Sequence, residues 1–146
     1  MNFWGHWMKN IRVLIDTNIF LDFLWKRSPF CNAAEQIIAL CKDGIVEGGV
    51  AAHSISNMFY ILRKDFTDEE RREFLVDVCS IFSICALDKE KIIRALHNKS
   101  FLDFEDGLQN ECALSENLDC IITRNKKDFL NSSLPIYTAD EFLTMI

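Results

Sequence analysis

Five short segments of this chain have the apolar composition of buried β-strands, and segments with the periodicity of amphipathic helices separate them. The strand-like segments are residues 11–15, 47–51, 80–85, 120–122 and 135–137. When a helix follows a strand, the chain crosses back over the sheet before the next strand begins, so neighbouring strands run parallel. We therefore predict a single-domain α/β fold, a three-layer sandwich whose mostly parallel central sheet of four to five strands has helices on both faces.

Polar residues mark the starts of several helices. Thr67 and Glu70 have the spacing of a capping box, in which each side chain bonds the backbone amide of the other residue. The helix that follows Asp88 is expected to place Ile92, Ile93 and Leu96 on its apolar face. Further helices are expected from Asn18, over residues 29–42 and from Thr138. The predicted N-caps are Ser54, Thr67, Asp88 and Asp103.

The length of 146 residues suits one domain with its own core. Residues 1–7 lack the charged and apolar regions of a signal peptide, and the first strand begins soon after Met8. We expect residues 1–8 to be an N-terminal extension, either natural or left from an expression tag, and residues 9–146 to be the folded domain. No apolar run approaches the roughly 18–20 residues that cross a bilayer. The six cysteines show no metal-binding spacing, and we predict a cytoplasmic chain with reduced thiols.

The net charge of −6 excludes one class of function. A protein that coats nucleic acid needs many cationic contacts with phosphates, and this chain has 16 basic residues against 22 acidic ones. A nucleic-acid enzyme remains possible, because a bound metal cation can reverse the field where phosphate binds.

Acidic residues stand at the end of one predicted strand and at the start of one predicted helix. These two places are expected to meet at one edge of the sheet. Asp16 comes directly after the apolar residues of the first strand, at the carboxyl edge where open α/β sheets bind their ligands. An alternative role for Asp16 is to cap the helix that follows. Asp103 and Asp106 lie one helical turn apart at the start of a later helix, and Glu105 is expected to point to solvent.

A third polar group follows the strand at residues 120–122. Thr123, Asn125 and Asp128 are expected at the same edge of the sheet as Asp16, although they are distant in sequence. Carboxylate oxygens are the ligands that Mg²⁺ and Mn²⁺ prefer, and a dication relieves the repulsion among acids in one cleft. These segments together favour a divalent-metal site, whereas each taken alone is explained as well by helix capping.

Three motifs in this order resemble the PIN domain, the nuclease fold of many bacterial toxin ribonucleases that occur in toxin–antitoxin pairs. They are residues 14–22 (LIDTNIFLD), 103–109 (DFEDGLQ) and 121–125 (IITRN). The resemblance covers residues 9–146 and implies a PIN-like sandwich that binds one or two Mg²⁺ or Mn²⁺ ions and cleaves RNA. It further implies an antitoxin partner and a homodimer.

Two positions depart from the family pattern. The resemblance implies an acid three residues after Ser54, where this chain has Asn57, and another after a Thr-Arg pair, where it has Asn125. An amide oxygen still binds a cation but brings no charge, so we expect a weak metal site. The assigned catalytic residues are Asp16, Asp106, Asn57 and Asn125. The assigned metal ligands are Asp16, Asp106, Asp103 and Asp128, and the assigned substrate-binding residues are Thr17, Asn18, Thr123, Arg124 and Lys126.

Two other functions compete with a metal-dependent endoribonuclease. One is an inactive PIN-like module that binds RNA or a protein partner, in which Asn57 and Asn125 reflect lost chemistry. The other is a phosphatase with Asp16 as its nucleophile, which is disfavoured because Asn18 stands where such enzymes commonly have a second Asp. His53 and His97 could act as general bases, but metal-activated water does not require one, and we interpret both as structural.

Overall fold

The computed structural model describes residues 11–146, so the predicted extension at residues 1–8 lies outside the described residues. Its strands are β1 (Arg12–Ile15), β2 (Glu47–Ala51), β3 (Ser83–Cys85), β4 (Cys120–Ile122) and β5 (Ile136–Tyr137). They form a sheet in the order β3-β2-β1-β4-β5, and every neighbouring pair is parallel. The predicted α/β fold with a parallel sheet is confirmed.

Within residues 11–146, seven α-helices flank the sheet. They are α1 (Thr17–Leu24), α2 (Cys31–Lys42), α3 (Ala52–Ile61), α4 (Asp68–Ile81), α5 (Lys89–His97), α6 (Phe104–Ser115) and α7 (Ala139–Thr144). Short 3₁₀ helices cover Leu62–Lys64 and Lys126–Phe129. None of the helices in this part of the chain combines the length and the apolar character that crossing a bilayer requires.

The two faces of the sheet bury separate apolar clusters, as expected for three layers. Val13 and Ile15 of β1 belong to one cluster, which includes Ile37 of α2. Leu14 lies between them and belongs to the other cluster, together with Cys112 of α6. Successive residues of a strand point to opposite faces, so the uninterrupted apolar run in β1 indicates a strand that is covered on both sides.

The strand order reverses at β1. The chain adds β2 and β3 on one side of β1 and then β4 and β5 on the other, which creates a crevice at the carboxyl end of β1. Asp16 is the first residue beyond that end, and its backbone amide donates to the carbonyl of Ile122 at 3.0 Å. The topology therefore places Asp16 where the loops after β1 and β4 diverge.

Three of the four predicted N-caps are confirmed. Thr67 and Glu70 form the reciprocal capping box, and Asp88 accepts a hydrogen bond from the Lys91 amide. The Oδ1 atom of Asp103 accepts from the amides of two residues in the first turn of α6. The prediction for Ser54 is wrong, because α3 begins directly after β2 and Ser54 lies buried inside it.

Two further expectations are corrected by long-range packing. The strand predicted at residues 80–85 is shorter, because α4 continues to Ile81. Helix α5 buries Lys91 and Ala95, whereas Ile93 and Leu96 are 41% and 61% exposed. The Nζ atom of Lys91 donates to the carbonyl of Ala86 at 2.6 Å and so fixes this side of the helix against the protein.

Candidate active site

Asp16 is held rigidly at the carboxyl end of β1. Its side chain is buried, with 4% of the residue exposed, and both carboxylate oxygens accept hydrogen bonds. Gln109 of α6 donates from Nε2 to Oδ1 at 2.9 Å, and Thr123 after β4 donates from Oγ1 to Oδ2 at 2.7 Å. Burial raises the pKa of Asp16, and the two side-chain hydrogen bonds oppose that rise by stabilising the anion. Two segments that are distant in sequence thus fix one carboxylate.

Asp106 is the second carboxylate of the site. It is half-buried in the first turn of α6, and its pKa is raised to about 7 by burial and by the negative charges of Asp16, Asp103 and Asp128. The ordinary pKa of an aspartate is far lower, so the cleft disfavours the ionised form. A bound cation would reverse this effect, because it favours the anion.

The two carboxylates border a cleft of about 140 Å³. Polar side chains from the three helices α1, α3 and α6 line most of it, with two apolar residues on α1 and α3. The lining residues are Asp16, Thr17, Asn18, Leu21, His53, Asn57, Ile61, Glu105, Asp106 and Gln109. The structure therefore brings Asp16, Asp106, Asn57, Thr17 and Asn18 together, as predicted.

Glu105 is exposed to solvent, as expected, but it also lines the cleft. Its Oε2 atom accepts a hydrogen bond of 2.9 Å from Nδ2 of Asn57. Its backbone oxygen lies 3.1 Å from Nε2 of His53, which must be the donor in that contact. The start of α6 lies against α3, so Glu105 brings a carboxylate to the position where Asn57 lacks one.

Three other assigned site residues, Asp103, Asn125 and Asp128, do not line the cleft. Asp128 is exposed on the 3₁₀ segment after β4, and its charge contributes to the raised pKa values of Asp16 and Asp106. The backbone amide of Asn125 donates to Oγ1 of Thr123 at 3.0 Å and thereby orients the hydroxyl that holds Asp16.

Among residues 11–146, no group of three His, Cys, Asp or Glu side chains has an arrangement that could hold a metal ion. Of the four assigned metal ligands, Asp16 and Asp106 line the cleft, and beside them lie Glu105 and neutral oxygen donors. Oxygen atoms suit a hard cation, and such a cation would offset the burial and the negative neighbours that raise the pKa of Asp106. The residues present fit a divalent ion, and the low count of charged ligands fits weak binding.

A sequence profile of the PIN domain matches residues 12–127. This chain belongs to the PIN-domain family. A relative that covers nearly all of this PIN domain is ribonuclease VapC1 of Aquifex aeolicus, 24% identical over 139 residues, which are 92% of this chain and 95% of the relative.

Solved structures with the same fold include a toxin–antitoxin complex. One is VapBC-1 of nontypeable Haemophilus influenzae, with a TM-score of 0.67 and 17% identity over 89% of this PIN domain and 99% of that chain. Another is a toxin–antitoxin complex of Klebsiella pneumoniae, with a TM-score of 0.66 and 21% identity over 87% of this chain and 97% of that one. Because the sequence identities are this low, the two structures show a shared fold and nothing about function.

Two predicted substrate-binding cations have protein partners in this PIN domain. The Nε atom of Arg124 lies 3.2 Å from Oδ2 of the buried Asp22, and its guanidinium group lies over the ring of Phe30 at 4.8 Å. The Nζ atom of Lys126 lies 3.0 Å from Oε1 of Glu141 on α7. The assignment of both cations to substrate remains a prediction.

Three residues of the site lacked an assigned role in the sequence analysis. The pairing of Asp22 with Arg124 was not predicted. The signal for it in the sequence is a charged residue among the apolar positions of α1. Gln109 offered a similar signal, a polar residue on the buried side of α6. Glu105 was assigned to solvent because α6 alone, without α3, does not show which way it turns.

Proposed function

We propose that this PIN domain is a divalent-metal-dependent endoribonuclease that hydrolyses RNA phosphodiester bonds and serves as the toxin of a toxin–antitoxin pair. The observation that carries the proposal is the paired site, in which the clamped Asp16 and the half-buried Asp106 share one cleft. An acid whose pKa is raised by burial and by the charge of a neighbouring carboxylate is typical of a catalytic cation site. The name of the Aquifex aeolicus relative, a ribonuclease, supports the reaction class.

Asp16 and Asp106 would hold the Mg²⁺ or Mn²⁺ ion, with Asn57, Asp103, Asn125 and Asp128 tuning the site. When bound there, such an ion supplies an activated water molecule and offsets the charge that develops on the phosphoryl oxygens. Asp16 needs little reorganisation, because Gln109 and Thr123 already fix both of its oxygens.

The chain's own residues also favour a phosphate at this cleft. Thr17 and Asn18 line it and lie in the first turn of α1, whose amino end carries a partial positive charge. Arg124 and Lys126 follow β4 on the same side of the sheet as Asp16 and are assigned to guide the RNA backbone. The acidic cleft and the basic segment after β4 would thus act on neighbouring parts of one substrate.

The test is cleavage of a structured RNA by the purified protein in Mn²⁺, with EDTA and the Asp16→Asn variant as controls. We expect cleavage that needs both the metal ion and Asp16. Cleavage by the variant at the wild-type rate would indicate a contaminating nuclease and overturn the proposal. Absence of cleavage by both proteins would favour the alternative of an inactive module that binds RNA or a protein.

An apolar groove between α3 and α4 supports the proposed antitoxin partner. Its volume is about 780 Å³, and Ile55, Phe59, Leu75 and Val76 are among the residues that line it. Helix α3 contributes residues both to this groove and to the cleft that Asp16 and Asp106 border. One of the solved relatives named above is a toxin–antitoxin complex, which supports a partner of this kind. A homodimer is also proposed, and sedimentation velocity measures it directly.

A further inference from the structure

Gln109 has one satisfied and one unsatisfied polar atom next to the proposed metal site. The residue is buried, with 3% exposed, and its Nε2 atom donates to Oδ1 of Asp16 at 2.9 Å. Its Oε1 atom is buried and has no hydrogen-bond partner among residues 11–146. Gln109 lines the cleft that Asp16 and Asp106 border.

A buried acceptor without a donor costs roughly 1–3 kcal/mol, so its presence beside a cleft calls for an explanation. Rotating the amide by half a turn does not remove the problem, because Oε1 would then face the carboxylate of Asp16, which is also an acceptor. The acidic neighbours in the cleft, Asp106 and Glu105, are acceptors when ionised. A divalent cation, or a water molecule of its hydration shell, would supply the partner that Oε1 lacks.

We propose that Gln109 is a positioning residue of the metal centre, whose Nε2 holds Asp16 while its Oε1 binds the divalent cation or a water molecule of its hydration shell. The inference rests on the proposed function, because it assigns a role toward the ion that Asp16 and Asp106 would hold. One rigid amide then couples the orientation of Asp16 to the presence of the ion. It also adds an oxygen ligand without adding a negative charge to a cleft that already disfavours one.

The test compares Mn²⁺ affinity in four proteins by isothermal titration calorimetry and by electron paramagnetic resonance of the free ion. Gln109→Met has a similar length but removes both polar atoms, whereas Gln109→Glu keeps an oxygen at the Oε1 position and removes the donor to Asp16. Gln36→Met, at an exposed position of α2, is the matched control. Circular dichroism checks that each variant is folded.

We expect Gln109→Met to weaken Mn²⁺ binding by about 10- to 100-fold, the usual effect of removing a residue that supports a metal ligand. Gln109→Glu is expected to lose less Mn²⁺ affinity than Gln109→Met, because it retains an oxygen at the Oε1 position although it places a second acceptor against Asp16. Equal loss in both variants would mean that Gln109 only holds Asp16, and unchanged affinity in Gln109→Met would also overturn the inference. Failure of the wild type to bind Mn²⁺ would overturn the proposed function together with this inference.

A measurement on the unaltered protein covers the case in which Gln109→Met does not fold. Titration with diamagnetic Mg²⁺ is expected to shift the side-chain amide resonances of Gln109, because an ion or an ordered water at Oε1 polarises the amide. The side chain of Gln36 is the internal reference. If Mg²⁺ shifts the resonances of Asp106 but not those of Gln109, the inference is wrong. The proposed metal site at Asp106 would still be supported.

Discussion

The Nε atom of Arg124 lies 3.2 Å from Oδ2 of Asp22, a carboxylate on α1 that is only 1% exposed. Burial raises the pKa of Asp22, and Arg124 and then Arg27 oppose the rise by stabilising the anion. The ion pair ties the segment after β4 to α1, next to the residues that border the cleft. A cation assigned to substrate from the sequence thus has a structural task as well.

The Arg124–Asp22 pair predicts that removing the cation alone lowers stability more than removing both charges. Arg124→Met is expected to lower the free energy of unfolding by about 2–3 kcal/mol, because it leaves a buried carboxylate with less compensation. Adding Asp22→Asn to that variant is expected to restore most of the loss, because it removes the uncompensated charge. Urea denaturation of both variants measures the effect, with the exposed Lys127→Met as control. A double variant that regains stability but not RNA cleavage would support contact between Arg124 and substrate.

Asp106→Asn is expected to stabilise the metal-free protein. Because the folded-state pKa of Asp106 is raised to about 7 from the ordinary 3.8, the folded protein binds the proton more tightly than the unfolded chain. The free energy of unfolding therefore falls as pH rises through that window, and the full cost is present above pH 7. The substitution removes the cost and is expected to raise Tm by about 3 °C at pH 8, for a gain of about 1 kcal/mol after allowance for partial exposure.

The same substitution is expected to raise Tm less at pH 5 than at pH 8, because at pH 5 only the lower part of the window between 3.8 and about 7 has been crossed. Differential scanning calorimetry in EDTA at both pH values measures this, with Asp77→Asn on the exposed side of α4 as control. A Tm of Asp106→Asn below that of the wild type at pH 8 would show that the ionised carboxylate does not destabilise the metal-free protein. Asp106→Asn is also expected to abolish the rise in Tm that Mn²⁺ gives the wild type.

Glu105→Gln tests the carboxylate that was expected to face solvent. Removing its charge from the cleft is expected to weaken Mn²⁺ binding by about threefold to tenfold, as for an exposed charge near a cation. The hydrogen bond from Asn57 can persist, because glutamine keeps an acceptor oxygen. Glu35→Gln on the exposed side of α2 is the matched control. Equal affinity in both variants would show that Glu105 only orients Asn57.

Val76→Glu tests the groove between α3 and α4. A charge on its apolar wall is expected to weaken inhibition by the antitoxin by at least about tenfold, since a buried unpaired charge is costly at an interface. RNA cleavage by the free protein should be unchanged, because Val76 does not line the cleft. If the antitoxin inhibits Val76→Glu at the same concentration as it inhibits the wild type, then the antitoxin binds at another surface.

Local patterns in the sequence predict the secondary structure well and the contacts less well. The caps at Thr67, Asp88 and Asp103 depend on residues three apart, and the structure contains all of them. The apolar side of α5 depends on which surface α6 offers, and Ile93 and Leu96 were therefore misplaced.

In the candidate site, too, local patterns predict some residues, whereas long-range contacts decide others. Asp16 and Asp106 could be found because strand ends and helix starts converge at one edge of a parallel sheet. Gln109 bonds Asp16 across 93 positions of sequence, and no local pattern signals that contact. Glu105 turns toward the cleft because α3 lies beside it, which is also a property of the assembled fold.

The central place of β1 has a consequence for the order in which the molecule is made. Its neighbour β4 and the hydroxyl of Thr123 come from the last quarter of the chain, so a ribosome must translate nearly the whole message before Asp16 has both of its donors. Under the proposed function, the nascent protein would lack a complete site for RNA cleavage while it is still short. The proposed partner would have that interval in which to bind it.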